Sequence, residues 1–142
     1  VDERCIKLVS KRFQKEIDSG RLELIAGDSL DVFPELLKRI DQPTTFFLDA
    51  HWEQCQFDEE KGGFGNKCGK YPCPLPYELE LIAQHPIKTH TLLVDDKRMF
   101  GKAWGKGILL DVILEKIMSV NPDYKITYED GWCEEDMIAA TL

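Results

Sequence analysis

Short apolar segments alternate along this chain with segments of helical periodicity, and this alternation constrains the fold more than any other feature. Apolar residues repeating at three- and four-residue steps predict helices at 2–17, 30–40, 75–84 and 107–119. Apolar segments bounded by turn residues predict strands at 22–26, 44–49, 89–94, 124–129 and 136–142. Alternating strands and helices favour a mostly parallel sheet covered on both faces. The sequence therefore predicts a three-layer α/β sandwich, whose last two strands form an antiparallel pair because their connector is short.

Chain length, net charge and the absence of long apolar runs limit the kinds of protein that this chain could be. The chain has 142 residues, which suits one domain spanning residues 1–142. Its formal net charge of −8 disfavours nucleic acid as a partner, because an acidic surface repels phosphate. No apolar run approaches the roughly 20 residues needed to span a bilayer, and residues 1–4 do not resemble a signal peptide. We therefore expect no membrane partner and a cytoplasmic location.

Three predicted strands are followed by acidic residues, namely Asp28, Asp49 and the pair Asp95 and Asp96. Ligands of open α/β sheets bind at the carboxyl ends of the strands, so these acids mark a candidate site. For Asp28 an equally good interpretation is that it caps the next helix. Carboxylates gathered at one sheet edge repel one another, and a hard divalent cation such as Mg²⁺, Ca²⁺ or Mn²⁺ would relieve that repulsion.

His51 lies two residues beyond Asp49 and suits a catalytic base or a metal ligand, although simple solvation is equally compatible with its position. Lys97 and Arg98 directly follow the acid pair. They are expected either to hold an anionic substrate or only to balance charge.

Residues 52–74 carry glycine, cysteine and charge without periodicity, which is typical of a loop insertion. His51, Cys55, Cys68 and Cys73 form an H-x3-C-x12-C-x4-C pattern whose ligand types suit a tetrahedral structural Zn²⁺. The alternative is a flexible lid with free thiols. If His51 binds zinc, it cannot also serve catalysis.

Four motifs occur in an order that resembles class I S-adenosylmethionine (SAM)-dependent methyltransferases of the Rossmann-like fold. They are Leu-Ile-Ala-Gly-Asp-Ser at 24–29, Phe-Phe-Leu-Asp-Ala-His-Trp at 46–52, Pro-Leu-Pro-Tyr-Glu-Leu-Glu-Leu-Ile at 74–82 and Leu-Leu-Val-Asp-Asp at 92–96. The chain is most similar to small bacterial-type methyltransferases with an "LDAH" motif and to metal-dependent O-methyltransferases of the catechol and macrocin types. The resemblance implies SAM as cofactor and a small-molecule or saccharide hydroxyl as methyl acceptor.

The resemblance also implies roles for individual residues. Gly27, Asp28 and Ser29 are similar to the third-strand motif that contacts adenine. Asp49 is similar to the acid near the methyl donor, which also ligates Mg²⁺, and Asp95 and Asp96 are similar to the pair that completes the metal site. Catalysis is accordingly assigned to Asp49 and His51.

The chain departs from this family at its start, because the glycine-rich loop and the first two strands have no counterpart. Residues 1–4 look like those just beyond the family's ribose-binding acid, so we expect a partial methyltransferase-like domain with poor SAM affinity. The missing strands would leave an open sheet edge, which predicts a homodimer. The competing functional hypotheses are an inactive binding or assembly module and another metal-carboxylate α/β enzyme.

Overall fold

The computed structural model describes residues 3–51, 70–102 and 107–142. Its longer helices are α1 (Glu3–Arg12), α2 (Gln14–Asp18), α3 (Ser29–Leu37), α4 (Leu75–Gln84) and α5 (Leu110–Val120). Its strands are β1 (Thr45–Leu48), β2 (Thr91–Val94), β3 (Lys125–Glu129) and β4 (Met137–Thr141). A short 3-10 helix, Lys97–Met99, follows β2. The protein is therefore of mixed α/β architecture, as the alternation predicts.

The four strands form one sheet in the order β1-β2-β4-β3. Strands β1 and β2 are parallel, whereas β4 is antiparallel to both β2 and β3. The predicted antiparallel pair at the end of the chain is confirmed. The prediction of a mostly parallel sheet is wrong for the described residues, because β4 inserts between β2 and β3 and makes two of the three strand pairs antiparallel.

One face of the sheet and three helices build the hydrophobic core. Alternate residues of β1 and β2 are buried, as expected when only one face of a strand is packed. Helices α3, α4 and α5 pack against that face through buried residues that include Phe33 of α3, Leu79 of α4 and Ile113 of α5. On the opposite face Phe47 is 55% exposed. In the described part of the chain, the buried core thus joins the sheet to one helical layer, whereas a three-layer sandwich was predicted.

Two predicted elements differ from the structure. Residues 22–26 form no strand and pair with none of the four strands, although β1 lies at the end of the sheet. Glu23 in this segment forms a solvent-exposed ion pair with Arg39. The helix predicted over 2–17 is interrupted at Phe13, whose φ of −109° and ψ of 25° lie outside the helical region.

Helix α4 begins and ends where the sequence predicts, at Leu75 and Gln84. Helices α1 and α2 contain no buried residue and contribute nothing to the core. Within the described ranges, no helix combines the length and the apolarity needed to cross a lipid bilayer.

Candidate metal centre

The parallel pairing of β1 and β2 brings two of the predicted site acids together. Leu48 pairs with Val94 in the ladder, so Asp49 and Asp95 leave the sheet side by side. The amide of Asp95 donates a hydrogen bond to the carbonyl oxygen of Leu48 at 3.2 Å, which extends the ladder by one residue. The carboxyl ends of these strands are therefore where the chain concentrates negative charge.

Asp96 turns the backbone sharply at this point. Its φ of 61° and ψ of 34° place it in the left-handed region, which is uncommon for residues other than glycine. Its amide donates to Oδ1 of Asp95 at 2.8 Å. The turn directs the Asp96 carboxylate towards His51, whose Nε2 lies 2.9 Å from Asp96 Oδ2.

Asp49, His51 and Asp96 each present a potential metal-ligating atom, and these three atoms lie within 4.8 Å of one another. Asp96 is buried, His51 is half-buried and Asp49 is exposed, so the group opens towards solvent on the Asp49 side. A cavity of about 10 Å³ lies against them. It is lined by Leu48, Asp49, Ala50, His51, Cys73, Leu75, Asp95, Asp96 and Phe100. That volume is about the size of one water-sized sphere, so the cavity suits a single ion or water better than an organic group.

Asp136 belongs to the same acidic region, although it was not among the residues predicted for the site. It precedes β4 and is 1% exposed. Its carboxylate accepts a hydrogen bond from the amide of Arg98 at 2.9 Å and pairs with the Arg98 guanidinium. Nη1 of Arg98 also lies 2.6 Å from Asp96 Oδ1. Arg98 thus bridges two carboxylates, which supports the charge-balancing interpretation of this residue.

Asp95, Asp96 and Asp136 form a second group whose carboxylate oxygens lie within 4.8 Å of one another. Arg98 already binds two of its members, so the first group is the better cation site. The two carboxylates suit Mg²⁺ and Mn²⁺, and the imidazole adds a nitrogen ligand of the kind that transition-metal ions take, which favours Mn²⁺ of the two. The residues present therefore fit a divalent cation held by Asp49, His51 and Asp96, with Asp95 alongside.

The electrostatics of the site bear on two residues. Partial desolvation raises the pKa of Asp49, and the nearby charges of Asp95 and Asp96 raise it further, while His51 and Arg98 act in the opposite direction. Burial raises the pKa of the Cys73 thiol to about 11. Asp49 is consequently a better proton acceptor than an ordinary aspartate, whereas Cys73 stays protonated at neutral pH.

Gly27, Asp28 and Ser29 lie at the start of α3 and do not line the small cavity. Asp28 is the N-cap of α3 and accepts from the amide of Leu30 at 3.0 Å. Its second oxygen accepts from the amide of Lys70 at 2.9 Å. The capping interpretation of Asp28 is confirmed, and both of its carboxylate oxygens are engaged in local structure.

Two of the four predicted zinc ligands, His51 and Cys73, lie within the described residues. Cys55 and Cys68 lie outside the described residues, so the four-ligand pattern stays a prediction. Cys73 is a buried free thiol that lines the cavity beside His51. His51 points to Asp96, in the arrangement of the acidic site.

Comparison with known proteins does not identify a family for this chain. No family model, no curated protein and no solved structure matches the chain.

Proposed function

We propose that this chain forms the metal-binding part of a SAM-dependent methyltransferase with a Rossmann-like fold, which transfers a methyl group to a hydroxyl of a small molecule or saccharide. The observation that carries the proposal is the convergence of Asp49, His51 and Asp96 beside an ion-sized cavity at the ends of two parallel strands. The order of the four sequence motifs supplies the methyltransferase part of the proposal. The antiparallel ending of the sheet agrees with that resemblance.

The residues of this centre have distinct tasks. Asp96 and His51 are the more buried ligands and fix the cation, while Asp49 faces solvent and the methyl acceptor. A cation held there would orient the acceptor hydroxyl and lower its pKa. Asp49, the solvent-facing member of the group, would accept the hydroxyl proton as general base. SAM supplies the methyl group.

A separate cleft supports a place for the adenosine part of SAM. It has a volume of about 340 Å³ and is lined by Glu3, Ile6, Lys7, Ala26 and Gly27. These residues come from the start of α1 and from the motif at 24–29, which are the two segments that the resemblance associates with the ribose and the adenine. The cleft, rather than the carboxylate of Asp28, is the feature that favours cofactor binding near Gly27.

A second candidate is another metal-dependent α/β enzyme, because the cluster of Asp49, His51 and Asp96 suits any reaction that needs a cation and a nearby base. An inactive binding module is the third. The candidates differ in whether SAM binds and whether a cation matters, so two measurements separate them.

The cation site is tested by titrating the protein with Mn²⁺ and following the free ion by electron paramagnetic resonance. Replacing Asp96 by Asn should weaken Mn²⁺ binding by at least about tenfold, because even residues that only support a ligand contribute 10- to 100-fold. Asp123→Asn, at an exposed position before β3, is the matched control and should bind as the parent does. Equal affinities of the two variants would exclude the proposed centre.

The cofactor is tested by calorimetric titration of SAM into the protein expressed from its full-length gene, with and without Mn²⁺. We expect SAM to bind, and Ile6→Trp in the cleft to reduce its affinity without changing Mn²⁺ binding. Mn²⁺ binding without any SAM binding would favour the second candidate, and the absence of both would favour the inactive module.

A further inference from the structure

His85 and His90 form a buried pair at the end of the sheet opposite the metal centre. They are 7% and 1% exposed. Nε2 of His90 lies 2.9 Å from Nδ1 of His85, and the ring centroids are 4.9 Å apart. His85 directly follows α4 and His90 directly precedes β2, so the pair connects a helix to a strand of the core.

Backbone groups determine where each ring carries its proton. The amide of Thr44 points to Nδ1 of His90 at 3.2 Å, so this nitrogen must accept and the proton must lie on Nε2. The amide of Ile87 points to Nδ1 of His85 at 3.3 Å, which likewise requires an acceptor there. His90 Nε2–H then donates to His85 Nδ1, and His85 Nε2–H donates to the carbonyl oxygen of Leu37 at 3.2 Å.

Every ring nitrogen therefore has a partner only while both rings are neutral. A second proton on either ring would lie on Nδ1, where it would face the amide hydrogen of Thr44 or of Ile87. On His85 it would also face the Nε2–H of His90. A buried donor facing a donor loses its hydrogen bond and leaves a charge without compensation.

The surroundings of the pair do not favour a positive charge. The ring of Phe46 in β1 packs edge-on against His90 at 4.9 Å between centroids. Tyr124, before β3, donates from its hydroxyl to the carbonyl oxygen of His90 at 2.6 Å. The charged neighbours are cations, because Lys88 acts on His90 and Lys38 lines the groove beside His85. Within the described residues, neither histidine forms an ion pair with a carboxylate.

We propose that His85 and His90 form a proton-sensitive clasp that joins the end of α3, the end of α4 and the starts of β1 and β2, and that opens when either ring takes up a proton. The joined groups are the carbonyl of Leu37, the two imidazoles and the amide of Thr44. The clasp is independent of the proposed function, since it shares no residue with the metal centre.

The direction of the pH effect follows from the pKa of His90. Burial lowers that pKa below its ordinary value, and the charges of His85 and Lys88 lower it further, while the backbone contact with Thr44 acts in the opposite direction. The unfolded chain then binds more protons than the folded one as the pH falls below about 6.5, so the folded state loses stability towards acid. For one such group the loss approaches about a tenfold change in the folding equilibrium constant per pH unit, until the folded pKa is reached.

The first test is the tautomeric state of the rings in the parent protein, read from long-range ¹H–¹⁵N correlations of histidines at pH 7.5. We expect both His85 and His90 as Nε2–H tautomers, with Nδ1 unprotonated. An Nδ1–H tautomer of either ring would overturn the proposal, because the chain of hydrogen bonds could not form.

The second test is the pH dependence of urea unfolding between pH 5 and pH 8. The parent should lose stability below about pH 6.5, and the amides of Thr44 and Ile87 should lose protection from hydrogen exchange in the same range. His90→Gln should flatten this dependence, whereas Phe46→Leu, which changes core packing against His90 and Phe33 but removes no titratable group, should lower stability at every pH and keep the slope. A parent slope of zero, or the same slope in His90→Gln as in Phe46→Leu, would refute the clasp. If His90→Gln does not fold, the exchange of the two amides in the parent decides alone.

Discussion

Glu78 is a buried carboxyl group, and its replacement by glutamine is expected to stabilise the protein at neutral and alkaline pH. The residue lies in α4 and is 3% exposed. Its Oε2 has no hydrogen-bond partner within the described residues. Ser29 supplies one hydrogen bond to the carboxylate, and Asp28 adds a nearby negative charge. An ionised Glu78 is therefore only partly compensated.

The sign of the pH effect follows from the raised pKa of Glu78. Burial raises that pKa, and Asp28 adds to the rise, while the Ser29 hydrogen bond opposes it. A carboxyl group whose pKa is raised in the folded state contributes most to the stability of the folded protein below its unfolded pKa of about 4.3. That contribution is lost as the pH rises through the folded pKa. The advantage of glutamine should therefore be small near pH 4.5 and should grow towards pH 8.

The magnitude follows from the environment of Glu78. A buried polar group without its partner costs about 1–3 kcal/mol, and an ionised group costs more. Glutamine keeps an oxygen for Ser29 and removes the charge, while its amide NH2 stays without a partner as Oε2 does, so only the extra cost of the charge is recovered. Glu78→Gln should therefore raise the free energy of unfolding by about 1 kcal/mol at pH 8. Urea unfolding followed by circular dichroism at several pH values measures this difference.

The control is Glu80→Gln on the same helix. Glu80 is 53% exposed and pairs with Lys116. Its removal should lower stability by no more than about 1 kcal/mol, without an increase towards high pH. If Glu78→Gln were less stable than the parent at pH 8, or if its effect did not change with pH, the carboxylate would be ionised and satisfied and the reasoning would be wrong.

Two further perturbations test the packing around the site. Cys73, with a pKa of about 11, should resist iodoacetamide at pH 8 in the folded protein, while the exposed Cys133 reacts, as peptide mass spectrometry will show. Equal labelling rates would contradict the burial of Cys73. Gly27→Ala should destabilise the protein by about 1–3 kcal/mol, because a Cβ atom would lie 2.4 Å from Cγ1 of Val32. Adding Val32→Ala should restore part of this loss in urea unfolding, and no recovery would contradict the assigned clash.

The sequence correctly predicted the elements whose buried apolar residues belong to a single hydrophobic core. Helix α4 and the strands around 45–48 and 91–94 are examples, because their buried apolar residues belong to one core. Residues 22–26 carry the same kind of pattern but form no strand, although β1 lies at the end of the sheet. A strand requires pairing with another strand, and the local sequence does not report whether that pairing occurs. The position of β4 between β2 and β3 is likewise a matter of long-range pairing.

The sequence predicted the site residues that come at the end of a strand. It missed Asp136, which a distant part of the chain brings to the site. Asp49, Asp95 and Asp96 follow their strands directly, so parallel pairing was enough to bring them together. Asp136 enters only because β4 returns beside β2 and sets its carboxylate against Arg98. The available sign was an acid at the first position of the strand predicted over 136–142. It was missed because this strand was not predicted to lie beside β2.

The charges of the site explain how the folded chain tolerates an acidic cluster. They also explain why a bound cation would still be favourable there. Asp136 is almost completely buried, and a carboxylate in that position requires a charged partner, which Arg98 supplies through its guanidinium and its backbone amide. Arg98 also reaches Asp96, so one cation serves two acids and fixes the left-handed turn that directs Asp96 towards His51. Asp49 and Asp95 remain without a cationic side chain of comparable closeness within the described residues. Burial, together with repulsion from Asp95 and Asp96, raises the pKa of Asp49. Arg98 therefore holds Asp96 and Asp136 in place. A bound divalent cation would offset the negative charge that Arg98 does not neutralise.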